Sequence, residues 1–115
     1  MVKLKRVYDA ASSTDGIRVL VDRLWPRGIT RDEAAVHQWL KEIAPSDRLR
    51  RWFSHDPAKW EEFKKRYEAE LKGKPELIEE LKAASRKHTV TLLYSAADTE
   101  HNNAVALHEI LQNGG

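Results

Sequence analysis

Apolar and polar positions alternate in two stretches early in the chain. In residues 2–8 (VKLKRVY) hydrophobic side chains interleave with basic ones, the pattern of a strand with one wet face or an edge position. In residues 17–28 (IRVLVDRLWPRG) a Val/Leu run interrupted by Arg18 breaks into a charged turn, which predicts a central strand emerging from the core. Between them, AASSTDG at 10–16 is a loop with Asp-Gly turn chemistry. Thr30 and Glu33 form a capping-box pattern, and Val36, Trp39, Leu40 and Ile43 follow at helical spacing, so a helix is expected from Thr30 to just before Pro45. Ser46 caps a short turn carrying Leu49, Trp52 and Phe53.

Asp56-Pro57 opens the next helix, with Trp60, Phe63, Tyr67 and Leu71 inward and Gly73 suited to a left-handed stop. Pro75 starts another, whose stripe is Leu77, Ile78, Leu81 and Ala84 and which ends near His88. The uninterrupted TVTLLY at 89–94 suits a strand buried on both faces. Asp98 or Thr99 is expected to cap a last helix through Leu111, with residues 112–115 fraying.

Buried strands separated by helices spell a small single-domain α/β fold over residues 1–115, a mostly parallel sheet of about three strands packed with helices. The short 10–16 link leaves the direction of the first strand open, because a parallel connection normally takes a dozen or more residues. In such sheets ligands gather outside the carboxyl ends of the strands. With the first strand parallel, that rule brings Tyr8, Asp9, the 22–27 turn, Tyr94, Ser95, Asp98, His101 and Asn102 to one rim.

Composition narrows the chemistry. A chain of 115 residues holds one ordinary core. Twenty Lys and Arg nearly cancel eighteen Asp and Glu, so net charge alone gives little reason to infer nucleic-acid binding, although the amino-terminal third is the more basic. The absence of cysteine excludes disulfides, thiolate zinc sites and a cysteine nucleophile. No stretch reaches the roughly 20 apolar residues of a spanning helix, and the amino terminus lacks a secretory apolar region, which points to a cytoplasmic bacterial or archaeal protein and away from membranes.

Arg18, Arg23 and Arg27, together with the amino end of the last helix, are candidates to hold an anion, since guanidinium forks and free helix amides suit phosphate or carboxylate. The same arginines could instead pair with Asp9 and Asp22 in a structural network. Asp22 at a strand end is a candidate base and His101 a candidate acid–base group, each equally readable as a turn or cap residue. Asn102, Tyr94 and Ser95 would orient a ligand, without the G-x-S-x-G elbow of a hydrolase. His55-Asp56 reads as a cap, with His55 packed on Trp52 or Trp60; a catalytic role there would need that segment to fold over the rim. Five histidines without tight ligand spacing predict no metal, and the lack of a glycine-rich loop predicts no nucleotide cofactor of the usual kinds. Of the four tryptophans, Trp25 alone sits in the charged turn and could stack on a ring.

KRVYD at 5–9, DGIRVLVDRLWPRG at 15–28, APSDRLRRWFSHDPAKWEEFKKRYEAEL at 44–71 and VTLLYSAADTEHNNAVAL at 90–107 together resemble the YeaO-like branch of the domain-of-unknown-function 488 family. The resemblance covers nearly the whole chain. It implies a small α/β fold and no established activity, and the thiol chemistry that cysteines near 94–102 suggest for other branches has no counterpart here. Three functions stay open: a pocket for a small anionic, phosphate-bearing or nucleotide-like ligand, with or without catalysis; a nucleic-acid-binding accessory module using Lys3, Lys5, Arg6, Arg27 and Arg31 with Trp25; and a structural or partner-binding protein. The oligomeric state is left open.

Overall fold

Hydrophobic residues on both faces of the sheet are covered, one face by a larger cluster and the other by a smaller one. The computed structural model describes residues 1–113. Four parallel strands, β1 (Val2–Arg6), β2 (Ile17–Leu20), β3 (Gln38–Trp39) and β4 (Val90–Tyr94), lie in the order β1-β4-β2-β3. β1 is therefore parallel, on an edge, and the direction that the sequence leaves open is settled by its pairing with β4, Val2 opposite Val90 through Arg6 opposite Tyr94. β4 is wholly buried between β1 and β2, which explains its lack of alternation.

The larger hydrophobic core lies on one face, where Val19, Val21, Val90, Leu92 and Tyr94 meet α2 (Asp47–Phe53), α3 (Trp60–Leu71), α4 (Pro75–Lys87) and α5 (Asn103–Asn113). A smaller cluster of Val7, Leu20, Ala34 and Leu93 covers the other face with help from Trp25, Val36 and Trp39. In α3 the buried residues are Trp60, Phe63, Tyr67 and Leu71, the predicted stripe. Gly73 does not have the positive φ of a left-handed stop; α3 ends through ordinary backbone bonds from Lys72 and Gly73 to Glu68 and Glu70 carbonyls.

The expected helix from Thr30 to Pro45 is the main departure, and it supplies the fourth strand. The capping box forms, Thr30 and Glu33 exchanging side-chain to backbone bonds of 2.9 and 3.2 Å, but α1 (Arg31–Ala34) ends at a left-handed Ala35. The chain then extends, with His37 N–H donating to Arg18 O and Leu40 N–H to Leu20 O. Its apolar residues do not share a face: Val36 and Trp39 join the smaller cluster, Leu40 and Ile43 the larger. The Arg18 guanidinium holds the Ala34 and Ala35 carbonyls that a longer helix would have bonded internally. The last helix also begins later than expected, since Asn102 caps it by accepting from Val105 N–H at 3.0 Å, while Asp98 caps the preceding turn at Glu100 and His101. It continues through Gln112 and Asn113, where fraying is expected from sequence, and residues 114–115 lie outside the described residues.

Among the described residues, no helix is long and apolar enough to cross a membrane.

Candidate functional site

Because all four strands are parallel, the segments leaving β1, β2 and β4 emerge at one end of the sheet, and α2 with the turn after it folds over them. The result is a cleft of about 550 Å³. Tyr8 contributes from after β1, residues 22–27 from after β2, Ser95, Ala96, Asn102 and Asn103 from after β4, and Arg50, Arg51, Phe53, Ser54 and His55 from α2 and its turn.

Asp22 is the polar hub of the floor. Ser95 donates to its Oδ2 from both backbone N–H (2.9 Å) and Oγ (2.7 Å), and Asn103 Nδ2 donates to its Oδ1 at 3.2 Å and to Val21 O at 2.9 Å. Both carboxylate oxygens are thus engaged in tying the β2 and β4 ends to α5, an acceptor role rather than that of a free base. Asn103, which the sequence reading does not single out, is the residue that closes this link.

Four arginines line the cleft. Arg23 donates to the Ala44 and Pro45 carbonyls at 3.3 Å each, anchoring the turn before α2, and lies 4.0 Å from Asp47. Arg50 pairs with Asp47 at 2.6 Å, and that bond, with Arg23 and Arg51 nearby, draws the exposed Asp47 carboxyl below its ordinary value. The side chains of Arg27 and Arg51 are exposed and make no hydrogen bond or ion pair within the described residues. Arg27 is held through its backbone instead, its carbonyl accepting from Tyr8 Oη at 2.8 Å. Four guanidiniums against Asp22 and Asp47 leave the cleft cationic.

Ser54 and His55 are consecutive non-glycine residues in the left-handed region, with φ of 46° and 56°. That pair of dihedrals turns the chain from α2 into the Asp56-capped turn ahead of α3 and sets the exposed His55 at the cleft, against Phe53. The condition that the sequence imposes on a role for His55, that its segment cover the rim, is met, although its partner ring is Phe53 rather than Trp52 or Trp60.

Not all the sequence candidates meet there. Asp22, Arg23, Trp25, Arg27, Ser95 and Asn102 line the cleft; Arg18, Tyr94 and His101 do not. Arg18 is 2% exposed and points into the opposite face, bonded to Asp15 at 2.6 Å and to the Ala34 and Ala35 carbonyls. An anion could not reach it without unfolding that corner, so Arg18 is a structural residue. Tyr94 is in the core, and burial pushes its hydroxyl above the ordinary tyrosine range. His101 lies outside the cleft with Nδ1 3.0 Å from Asp98 and its ring edge-on to Trp60. The Glu100 amide first, then the His101 amide and ring, lower the Asp98 carboxyl.

The basic amino-terminal residues are engaged inside the molecule: Lys3 with Thr14 O, Lys5 with Asp15, and Arg6 with the Ser95 and Ala96 carbonyls. Trp25 donates to Ile29 O at 2.8 Å, meets Trp39 edge-on and has Arg31 over its ring. Among the described residues, no three histidine or acidic side chains are grouped to hold a metal ion.

The family model described as the inactive DUF488-N3 subclade matches residues 1–114. The chain belongs to this family. Its relatives include the uncharacterized protein YeaO of Escherichia coli K12, 42% identical over 111 residues that cover 96% of each chain. The uncharacterized protein Rv3073c of Mycobacterium tuberculosis H37Rv is 39% identical over 110 residues, covering 96% of this chain and 92% of that protein. No solved structure matches. The two relatives match this DUF488-N3 chain nearly end to end, so the cleft is built from segments that lie within the shared length.

Proposed function

We propose that this member of the inactive DUF488-N3 subclade binds a small anion, phosphate-bearing or carboxylate, in the cleft at the carboxyl ends of β1, β2 and β4, and does so without transforming it. The observation that carries the reading is the pair Arg27 and Arg51, whose guanidiniums line a cationic cleft with no hydrogen-bond partner among the described residues. A structural network would have used them, as it uses Arg18 and Arg23. Binding rather than catalysis is favoured because Asp22 has both oxygens engaged, His101 stands outside the cleft, and the family's description is of an inactive subclade.

Calorimetric titration with inorganic phosphate and pyrophosphate at low ionic strength tests this. Binding is expected, weakened about tenfold or more by Arg51→Ala and by Arg27→Ala, since one charge-assisted hydrogen bond contributes about 1.5–3 kcal/mol. Absence of binding at millimolar phosphate and pyrophosphate, or binding indifferent to both substitutions, overturns it.

A further inference from the structure

The anion reading leaves most of the cleft unexplained. A space of about 550 Å³ is in the range of sites that enclose whole organic molecules, roughly 300–1,000 Å³. A tetrahedral oxyanion, the size of a few water molecules at about 30 Å³ each, would leave the greater part unfilled. Resting on that reading, we propose that the natural occupant is an organic anion with a flat aromatic body, its charge at Arg27 and Arg51 and its ring against an apolar lip formed by Leu24 and Tyr8.

Two independent features support the aromatic half. The large hydrophobic residues left exposed among the described residues are Met1, Tyr8 and Leu24, at 73%, 41% and 64%. One is the chain end, and the other two line this one cleft. A lone exposed leucine needs no explanation, but two large apolar side chains at the mouth of an arginine-lined cleft are placed where an apolar ligand surface would cover them. Tyr8 is not loose either: its hydroxyl is fixed on Arg27 O and the Arg6 guanidinium lies 5.1 Å from its ring centroid, so the ring is held in position beside the anion-facing segment.

The second feature is that the cleft is backed by Phe53 and Phe63, core residues stacked with centroids 4.3 Å apart and planes 25° apart. The Tyr8 ring and this aromatic backing, together with guanidinium planes, favour a planar partner over an aliphatic one.

Titration of the wild-type protein and Leu24→Ser with phenyl phosphate, glycerol phosphate and inorganic phosphate separates the possibilities, and the exposure of Leu24 keeps the variant folded. Phenyl phosphate is expected to bind about tenfold or more tightly than inorganic phosphate, with glycerol phosphate no better than the inorganic ion. Leu24→Ser is expected to remove most of that preference while leaving inorganic phosphate unchanged. Equal affinities for phenyl and inorganic phosphate in the wild-type protein overturn the aromatic assignment and leave the anion site standing. Binding of none of the three overturns both. A preference that survives Leu24→Ser intact overturns the assignment of the lip.

Discussion

The same side chains, arginine and aspartate, occur at both ends of β2 and behave in opposite ways. Toward its amino end, Arg18 and Lys5 close on Asp15 at 2.6 and 3.1 Å beneath α1, with Thr91 bonded to Asp15 O, and the carboxylate and the Arg18 guanidinium are nearly inaccessible to water. Past its carboxyl end, Asp22 is satisfied by neutral donors from Ser95 and Asn103, and Arg27 and Arg51 are left open to solvent. The first arrangement locks the fold; the second leaves charge available to something outside it. The difference lies in what the neighbouring segments do with their carbonyls and carboxylates, not in residue type.

Breaking the closed site should cost most. Arg18→Ala leaves the buried Asp15 carboxylate with Lys5 as its one cationic partner and frees the Ala34 and Ala35 carbonyls, and removing one partner of a buried pair costs up to about 3–5 kcal/mol. The urea midpoint should fall accordingly, or the chain should fail to fold. Arg51→Ala, by contrast, should change the unfolding free energy by no more than about 0.5 kcal/mol while it weakens phosphate binding. Similar stability losses in both variants would erase the contrast between the two ends.

Acid titration sharpens the same comparison with a smaller effect. Burial alone would raise the Asp15 carboxyl, but the Ser12 amide, Lys5 and Arg18 outweigh it and bring it from 3.8 down to about 2. A carboxyl held lower in the folded than in the unfolded chain stabilises fully above the unfolded value and loses that contribution as pH falls from 3.8 toward 2. The loss is at most about 2 kcal/mol over that window, at 1.36 kcal/mol per unit. Urea midpoints measured from pH 5 to 2 should carry this slope in the wild-type protein and lack that part of it in Asp15→Asn. The lowered carboxyls of Glu33, Asp47 and Asp98 are on the surface and add little.

Strand parity explains which parts could be read from sequence. Period-two alternation in β1, the buried run of β4 and the helical stripes of α3 and α4 each follow from contacts within one element, so they are legible. The convergence of the 22–27 turn with Ser95 and Asn102 follows from parallel topology alone. Arg18 was separable in principle, because a residue at the second position of a four-residue strand faces one side of the sheet and cannot reach its end. β3 was not, since Val36, Trp39, Leu40 and Ile43 fit a helix as well as they fit a short strand dividing its residues between two faces. Arg50, Arg51 and His55 reach the cleft only because α2 folds back across the strand ends, a long-range packing that the RLRR run at 48–51 does not encode.

Backbone strain offers the smallest and most selective test of the two ends. Each carries left-handed non-glycine residues: Ala35, whose carbonyl accepts from Arg18, and Ser54 and His55 at the cleft. Glycine relieves the left-handed penalty of about 1–2 kcal/mol but adds unfolded-state entropy of about 0.5–1, so Ala35→Gly and Ser54→Gly should each stabilise by no more than about 1 kcal/mol. Their effects on binding should diverge. Loosening the turn that carries His55 adds an ordering cost to binding, about 0.5–1.5 kcal/mol for each group that must be immobilised, so Ser54→Gly should weaken pyrophosphate about threefold. Ala35→Gly touches no cleft residue and should leave affinity unchanged. Equal responses in the two glycine variants would mean that the strain after α2 serves the helix turn alone, and that His55 owes its position to packing rather than to a conformation maintained for a ligand.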